Sequence, residues 1–145
     1  MKENIVPFRL VNIATTQFAT IDTVSIQEDS IDIGVEYSFG INEENRILGC
    51  HSRFQFLSNK NTFIILHVSC EFEIESEAWL QFINKESKKI TFPKLLVTHL
   101  ATITVGTARG VLHTKTENTK FNSYFLPTID VTQSIKSDIS IEINQ

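Results

Sequence analysis

Apolar and polar residues alternate along several stretches of this chain, and the alternation predicts β-strands. From Ile31 to Ile41 every second residue is apolar, and Thr62 to Glu75 repeats the pattern. A third stretch, Arg46 to Leu57, carries its apolar residues in phase, and asparagine-rich polar clusters separate the three. Three strands joined by short turns predict an antiparallel meander.

A further candidate strand and an apolar connection precede this meander. Phe8 to Ile21 has apolar residues on both sides, including Leu10 on one and Ile13 on the other, so both faces can be covered. In Thr62 to Glu75 the same alternation assigns Phe63 to the side opposite Ile64. The connection from Asp22 to Ser30 contains two branched apolar residues and is too apolar for a simple solvated loop.

The second half of the chain changes from strand to helix. Thr91-Phe92-Pro93 reads as a helix start, with proline at the first position, and Leu96, Leu100, Ile103 and Val111 then fall near helical spacing. Lys94 to Thr116 is rich in threonine and valine, which favour strands. About twenty residues without a turn signal would nevertheless be long for a strand, so we predict a helix. Asp130 with Gln133 fits a capping box that opens a short final helix.

Composition and charge narrow the classes of function. With 145 residues, 41% hydrophobic and 21% charged, the chain is expected to form one folded domain over residues 1–145. The net charge of −4 argues against a nucleic-acid partner, since its one lysine cluster is short and mixed with Glu86. No apolar run is long enough to predict membrane insertion or a signal peptide. Two cysteines are too few for a disulfide framework, so we expect a cytoplasmic protein.

Candidate metal and catalytic sites have little support in the sequence. Cys50 is adjacent to His51, and His67 lies three residues before Cys70. Both spacings place the two side chains on opposite faces of a strand, so neither pair predicts a metal site. The chain has no G-x-S-x-G motif, and its histidines lack a recognisable partner pattern. We therefore expect a non-enzymatic protein without a cofactor.

Three surface features remain open to two interpretations each. The alternating acids from Glu71 to Glu77 are either a solvated strand face or a docking patch for a basic partner. A stripe of small and polar residues on the long helix is either solvated or an oligomer interface. Apolar residues in the connection and in the late loop either fold over the core or line a groove. The helix stripe comprises Thr102, Gly106, Arg109, Gly110 and His113, and the loop residues include Val24, Ile26, Phe121, Tyr124 and Phe125.

The order of these segments resembles the SecB family of export chaperones. The opening FRLVNIATTQF (residues 8–18) is similar to that family's first strand, and FIILHVSCEFEI (63–74) resembles its last sheet strand. The ending is also similar: a long helix carrying Ala108-Arg109-Gly110 leads through Lys120-Phe121 to Leu126-Pro127 and Ile129-Asp130-Val131. The resemblance covers nearly the whole chain.

The resemblance implies a fold, an assembly and a function. The fold is α+β: a four-stranded antiparallel sheet, a meander with a crossover connection, covered on one face by the long helix and the short second helix. Subunits would pair into a dimer of dimers, a homotetramer. Clients would be unfolded polypeptides, including preproteins for export, held without ATP. Their binding positions would be Val24, Ile26, Tyr37, Phe39, Phe121, Tyr124 and Phe125.

Two departures set this chain apart from export members of the family. Those members dock the SecA motor through acidic residues on the sheet, and the matching positions here are Gln17, Ile21 and His67. Their zinc-binding tail also has no counterpart in the ending of this sequence. SecA docking is therefore doubtful, and a dedicated client such as an antitoxin is an alternative to general export. Two other classes stay open: a carrier of a small apolar ligand and a structural subunit of a larger assembly.

Overall fold

The computed structural model describes residues 6–144 and contains the predicted antiparallel sheet. Its four long strands are β1 (Phe8–Thr20), β2 (Ile31–Asn42), β3 (Ile47–Ser58) and β4 (Asn61–Ile74). They are ordered β1-β4-β3-β2, so β2, β3 and β4 form the meander and β1 pairs with β4. The connection from β1 to β2 crosses from one edge of the sheet to the other. The α+β fold class is confirmed, and each strand lies within a residue of its predicted bounds.

The long helix is α2 (Lys94–Thr116), as its spacing predicted, and a short helix α1 (Ser76–Phe82) precedes it. Pro93 is the N-cap residue rather than the first helical one, and the Lys94 N–H donates to the Asp138 carboxylate at 2.7 Å. The hydroxyls of Thr104 and Thr116 donate to carbonyls four residues earlier, which satisfies them inside the helix. By length and composition α2 could cross a membrane, but its inner side packs on the sheet.

A small second sheet, absent from the sequence prediction, joins the end of the chain to the segment before α2. It consists of β5 (Ile83–Asn84), β6 (Lys89–Phe92) and β7 (Ile139–Glu142), in the order β5-β6-β7. The predicted final helix is a single turn, α3 (Val131–Ser134). Asp130 caps α3 by accepting from the Thr132 N–H. The Gln133 side chain meets the Asp130 carboxylate instead of returning to its backbone, so the capping box is incomplete.

The core lies between α2 and the two central strands, β3 and β4. Alternate residues of both strands are fully buried on this side, which we call the helix side of the sheet. Leu100, Ala101 and Val105 are buried opposite them, whereas Ile103 and Val111 are only half-buried. The buried stripe of α2 is therefore rotated from the predicted one. The buried strand residues are Leu48, Cys50, Ser52, Phe54, Phe56, Leu66, Val68, Cys70 and Phe72.

Bulges overturn two assignments of side chains to faces. The register between β3 and β4 shifts after Phe56, and Phe63 is fully buried with its ring 6.2 Å from that of Phe56. In β1 the register shifts between Leu10 and Asn12, so Leu10 and Ile13 both pair with helix-side residues of β4. An extra residue reverses the alternation beyond it, and strict period two cannot reveal this.

The acidic series from Glu71 to Glu77 is not one strand face. Glu71 and Glu73 lie on β4, where they accept hydrogen bonds from Asn12 and Arg9. Glu75 is instead the N-cap of α1 and accepts from the Glu77 and Ala78 backbone N–H groups. The strand ends at Ile74, which leaves no continuous carboxylate ladder.

Candidate functional site

An apolar stripe runs along β2 at the edge of the sheet. Its odd-numbered residues point to the helix side, because Val35 pairs with Phe54 and Phe39 with Cys50. Their partners on β3 are fully buried, but the stripe itself is only half-buried, since α2 packs on β3 and β4. The β2 stripe comprises Ile31, Ile33, Val35, Tyr37, Phe39 and Ile41.

The same residues direct their main-chain groups to the free edge of the sheet. Ile74 N donates to Arg46 O and Asn59 N donates to Ser30 O. Because hydrogen-bonded pairs alternate along an antiparallel ladder, even-numbered residues of β2 pair with β3. The N–H and C=O groups of Val35, Tyr37 and the other odd-numbered residues therefore point outward. Among residues 6–144, each such residue combines a half-open apolar side chain with main-chain groups that no neighbouring strand pairs.

The crossover connection lies beside one end of this stripe. Its Gln27 N–H donates to the buried Ser58 hydroxyl at 2.7 Å, and Ile21 N donates to Phe63 O at 2.9 Å. These bonds hold the connection against the end of the β3–β4 hairpin. Val24 and Ile26 are half-buried against the core and keep part of their surface open.

The late loop packs against the same end of the sheet. The Tyr124 ring lies 6.2 Å from Phe56 and 5.1 Å from Phe63, and its hydroxyl donates to Glu28 in the crossover at 2.8 Å. Phe121 is only 2% exposed and stacks on Phe63, so it supports the surface from below. Phe125, by contrast, is 55% exposed. The structure thus brings Val24, Ile26, Tyr124 and Phe125 to one end of the molecule.

Arg109 fixes where the chain runs after this loop. Its Nε donates to the Leu126 carbonyl at 2.9 Å and an Nη to the Pro127 carbonyl at 2.7 Å. The neighbouring His113 ring stacks on Phe125 at 6.1 Å. Two residues of the helix stripe therefore contact their own chain, which is a role that helical spacing alone did not indicate.

Burial raises the pKa of two side chains at the base of the stripe, Tyr37 and Cys50. Desolvation raises the pKa of the Tyr37 hydroxyl, and Cys50 nearby adds to the shift. The Tyr37 oxygen is itself buried and without a hydrogen-bond partner among the described residues. Desolvation also raises the pKa of Cys50 to about 12, although a Thr104 hydrogen bond opposes it. Both groups stay neutral at physiological pH, so this side of the sheet is an apolar surface.

The remaining stripe residues leave a flat face on α2. Thr102, Gly106 and Gly110 are exposed, and a Cβ added at either glycine would meet no atom within 4 Å. On the edge strand β1, Leu10 is 42% and Ile13 48% exposed. Leu95, which the sequence analysis did not single out, is 79% exposed in the first turn of α2.

The side of the sheet away from α2, which we call the outer side, is polar. A depression of about 240 Å³ lies near its centre, lined by Ala14, Thr16, His51, Ser52, Arg53, His67, Ser69 and Glu71. A wider one of about 550 Å³ lies at the β5–β6 hairpin. Within residues 6–144 no three histidine, cysteine, aspartate or glutamate side chains are grouped to hold a metal ion. Of the positions matched to SecA docking, Gln17 and His67 are cross-strand partners on this side.

These features define a SecB-like fold: a four-stranded antiparallel sheet with a crossover, a long helix on one side and an apolar edge. The Mycobacterium tuberculosis Rv1957 SecB-like chaperone, solved with a ChAD peptide from the Rv1956 HigA1 antitoxin, is similar in structure, with a TM-score of 0.54. The match covers 84% of this chain and 90% of the other, at 6% sequence identity. No protein-family profile and no curated protein sequence matches the chain.

Proposed function

We propose that this protein is an ATP-independent holdase, a cytoplasmic, non-enzymatic chaperone that binds non-native polypeptide segments. The β2 stripe is the observation that carries the proposal, because its residues offer apolar side chains and unpaired main-chain groups together. An extended segment can bury alternate side chains on the stripe and pair its backbone with the edge. Such binding needs little sequence specificity.

The binding surface would extend from the stripe to the crossover and the late loop. Tyr37 and Phe39 supply half-buried rings on β2, while Val24, Ile26 and Tyr124 continue the surface at the end of the sheet. Phe125 is its most exposed member and Phe121 supports it from the core. Burial of apolar area contributes about 25 cal/mol per Å², so several shallow contacts add up to useful affinity.

The structural similarity supports this proposal at the level of the fold. The similar Mycobacterium chaperone was solved with a bound antitoxin peptide. A peptide client is consistent with the open edge described here, and it leaves both alternatives of the sequence analysis, export preproteins and a dedicated antitoxin, as candidates. A carrier of a small apolar ligand is less well supported, because the two depressions found are open and lie away from the β2 stripe.

A pair of lysine substitutions on β2 tests the proposal. Val35→Lys places a charge in the stripe, whereas Ser38→Lys places the same charge on the exposed outer side of the same strand. We expect the wild type and Ser38→Lys to bind a carboxymethylated, permanently unfolded protein. Both should also suppress the aggregation of this unfolded protein when added salt makes it insoluble. Val35→Lys should bind on the order of tenfold more weakly, since a desolvated lysine costs more than 1.4 kcal/mol.

Light scattering of the aggregating client and fluorescence anisotropy of a labelled one are the two measurements. Absence of any binding by the wild type would remove the holdase proposal. Equal loss of binding in both variants would show that charge alone matters and would exclude the stripe as the site.

We also propose that the chain assembles with copies of itself, as a dimer of dimers. Two apolar or flat surfaces support this. One is the helix side of the edge strand β1, where Leu10 and Ile13 are exposed, as is Leu95 in the first turn of α2. The other is the flat face of α2 around Gly106 and Gly110, where a second backbone can approach closely. Multiple subunits would also give a long client several sites and increase its avidity.

A further inference from the structure

The depression on the outer side of the sheet has no part in the proposed client surface, and its lining is chemically distinctive. One row across the sheet runs Gln17, His67, Arg53 and Glu36, each paired with its neighbour in the register. The next row runs Ala14, Ser69, His51 and Ser38. The small side chains of Ala14 and Ser69 leave a space, which the longer side chains of Arg53, His67 and His51 border.

Arg53 is the fixed positive charge of this depression, and its donors are mostly free. Within the described part of the chain its ion-pair partner is Glu36, 3.9 Å away, and both side chains are more than half exposed. That distance exceeds a normal hydrogen bond and leaves the guanidinium able to bind another carboxylate through two parallel N–H donors. Glu71, the acid on the opposite rim, is turned toward Asn12, which donates to it at 3.1 Å.

His67 is the cross-strand neighbour of this arginine on β4, and His51 lies two residues before it on β3. Burial, and then the positive charge of Arg53, lower the pKa of His67, while Glu36 partly opposes the shift. His51 is oriented by a 2.7 Å hydrogen bond between its Nδ1 and the Ser69 hydroxyl. Its Nε2 lies over Gly49 and Gly40, 3.4 and 3.7 Å from where their Cβ atoms would be, so two glycines make room for the ring.

The charge balance of the depression changes with pH. Arg53 is positive, Glu36 from β2 and Glu71 from β4 are negative, and the nearby β1 residues are uncharged. With a neutral His67 imidazole the surroundings carry no excess positive charge, and protonation of His67 adds one positive charge. A group that binds here with a single negative charge would therefore be held more tightly as pH falls, until it is itself protonated.

We propose that this depression binds a single carboxylate, supplied by an acidic side chain of a partner protein that docks on the outer side of the sheet. Arg53 donates to the carboxylate, and His67, its cross-strand neighbour, completes the contact. The depression is shallow and surrounded by a wide four-stranded surface, which suits a protein better than a free small molecule. Because Glu36 and Glu71 lie on the rim, the acidic residue of the partner is flanked by lysine or arginine.

Two short blocked peptides test this site: lysine-glutamate-lysine, and its counterpart with glutamine in the centre. NMR titration of the histidine rings gives the pKa of His67 with and without each peptide. We expect the glutamate peptide to raise that pKa, because a bound carboxylate offsets the effect of Arg53, and the glutamine peptide to leave it unchanged. Binding should tighten as pH falls through the titration of His67 and weaken below about pH 4, where glutamate is protonated.

Arg53→Gln and Arg9→Gln form the matched pair of variants. Arg9 is an exposed arginine on the same side of the sheet, paired with Glu73 at 3.0 Å. We expect Arg53→Gln to abolish the shift of His67 and Arg9→Gln to retain it. Equal effects of the two variants, equal shifts with both peptides, or stronger binding of inorganic phosphate than of the glutamate peptide would overturn the proposal. None of these outcomes depends on client binding at β2.

Discussion

Cys50 and Cys70 illustrate at the residue scale how burial determines chemistry. They are cross-strand partners of β3 and β4, and both are free and fully buried on the helix side of the sheet. His51, next to Cys50, and His67, three residues before Cys70, point to the outer side, so the sheet separates each histidine from its cysteine. Reasoning from strand geometry predicted this separation. The pKa of Cys50, however, is raised because α2 covers these strands and excludes water from the thiol. The alternation of residues does not encode that cover.

Native Cys50 should be inert to thiol reagents. Its pKa of about 12 leaves on the order of 10⁻⁴ of the thiol ionised at pH 8, and only the thiolate reacts. We expect no alkylation by iodoacetamide at pH 8 until urea unfolds the chain, after which mass spectrometry should detect two modified cysteines. Rapid labelling of Cys50 in the native protein would contradict its burial.

The same pKa shift has a consequence for stability. The usual pKa of this thiol, 9.0, is raised by folding, so the folded protein holds the proton more tightly. Its contribution to stability is complete below pH 9 and is lost as pH rises from about 9 toward 12. Urea unfolding at a series of alkaline pH values should follow this decline, and Cys50→Ala should flatten it.

At the scale of elements, strands and helices differ in how far the sequence predicted them. Long regular periodicity located the four strands and α2, because the periods of 2 and 3.6 are distinct over a dozen residues. The strands β5, β6 and β7 have two to four residues each, too few for a period to be recognised. The bulges near Leu10 and Phe56 were not predicted for a different reason. Each adds one residue to a strand, and no residue type in the sequence marks the position of that extra residue.

The candidate site was predictable only in part. Val24, Ile26, Tyr124 and Phe125 were singled out as apolar loop residues, and the structure brings them together at one end of the sheet. The burial of Phe121 under Phe63 was not predicted, since it follows from the bulge that turns Phe63 to the helix side. Arg109 was assigned to a surface stripe, but a sequence pattern carries no information about which carbonyls a long side chain will reach.

Arg109→Gln should release the chain segment that follows the late loop. Loss of the guanidinium leaves the Leu126 and Pro127 carbonyls without these donors, at a cost of about 1.5–3 kcal/mol for hydrogen bonds to a charged group. We expect faster amide hydrogen exchange around α3 and a lower urea midpoint. Lys115→Gln, an exposed change on the same helix, is the control and should leave both measurements unaltered. Unchanged exchange in Arg109→Gln would mean that other contacts hold this segment.

At the scale of the whole molecule, one side of the sheet is covered by α2 over its centre only. The two edge strands therefore keep apolar residues partly open on the helix side: Leu10 and Ile13 on β1, and the β2 stripe on the opposite edge. The proposals assign the first edge to association between copies and the second to clients. A single arrangement of layers thus accounts for both, and neither edge was visible in the composition of the chain.

Gly106→Leu tests association between copies. The glycine is exposed and open space surrounds it, so leucine is tolerated by the isolated fold and improves helix propensity by about 1 kcal/mol. In the assembly, the added side chain would hold two α2 helices apart. We expect light scattering to give a smaller solution mass for Gly106→Leu than for the wild type, with Lys115→Leu as the control for added hydrophobicity. A wild-type protein that is monomeric at every concentration would contradict this prediction.

The free edge of β2 also raises the question of how the protein avoids edge-to-edge aggregation through this strand. Between Ile21 and Arg46 the chain has seven acidic residues and no lysine or arginine, and Asp32 and Glu36 lie on β2 itself. Two such edges repel each other at neutral pH, which is a common protection of exposed strands against fibril growth. That protection weakens as the solution approaches the isoelectric point near 5.5, and also in concentrated salt. Purification and storage are therefore best done at or above neutral pH and at low ionic strength.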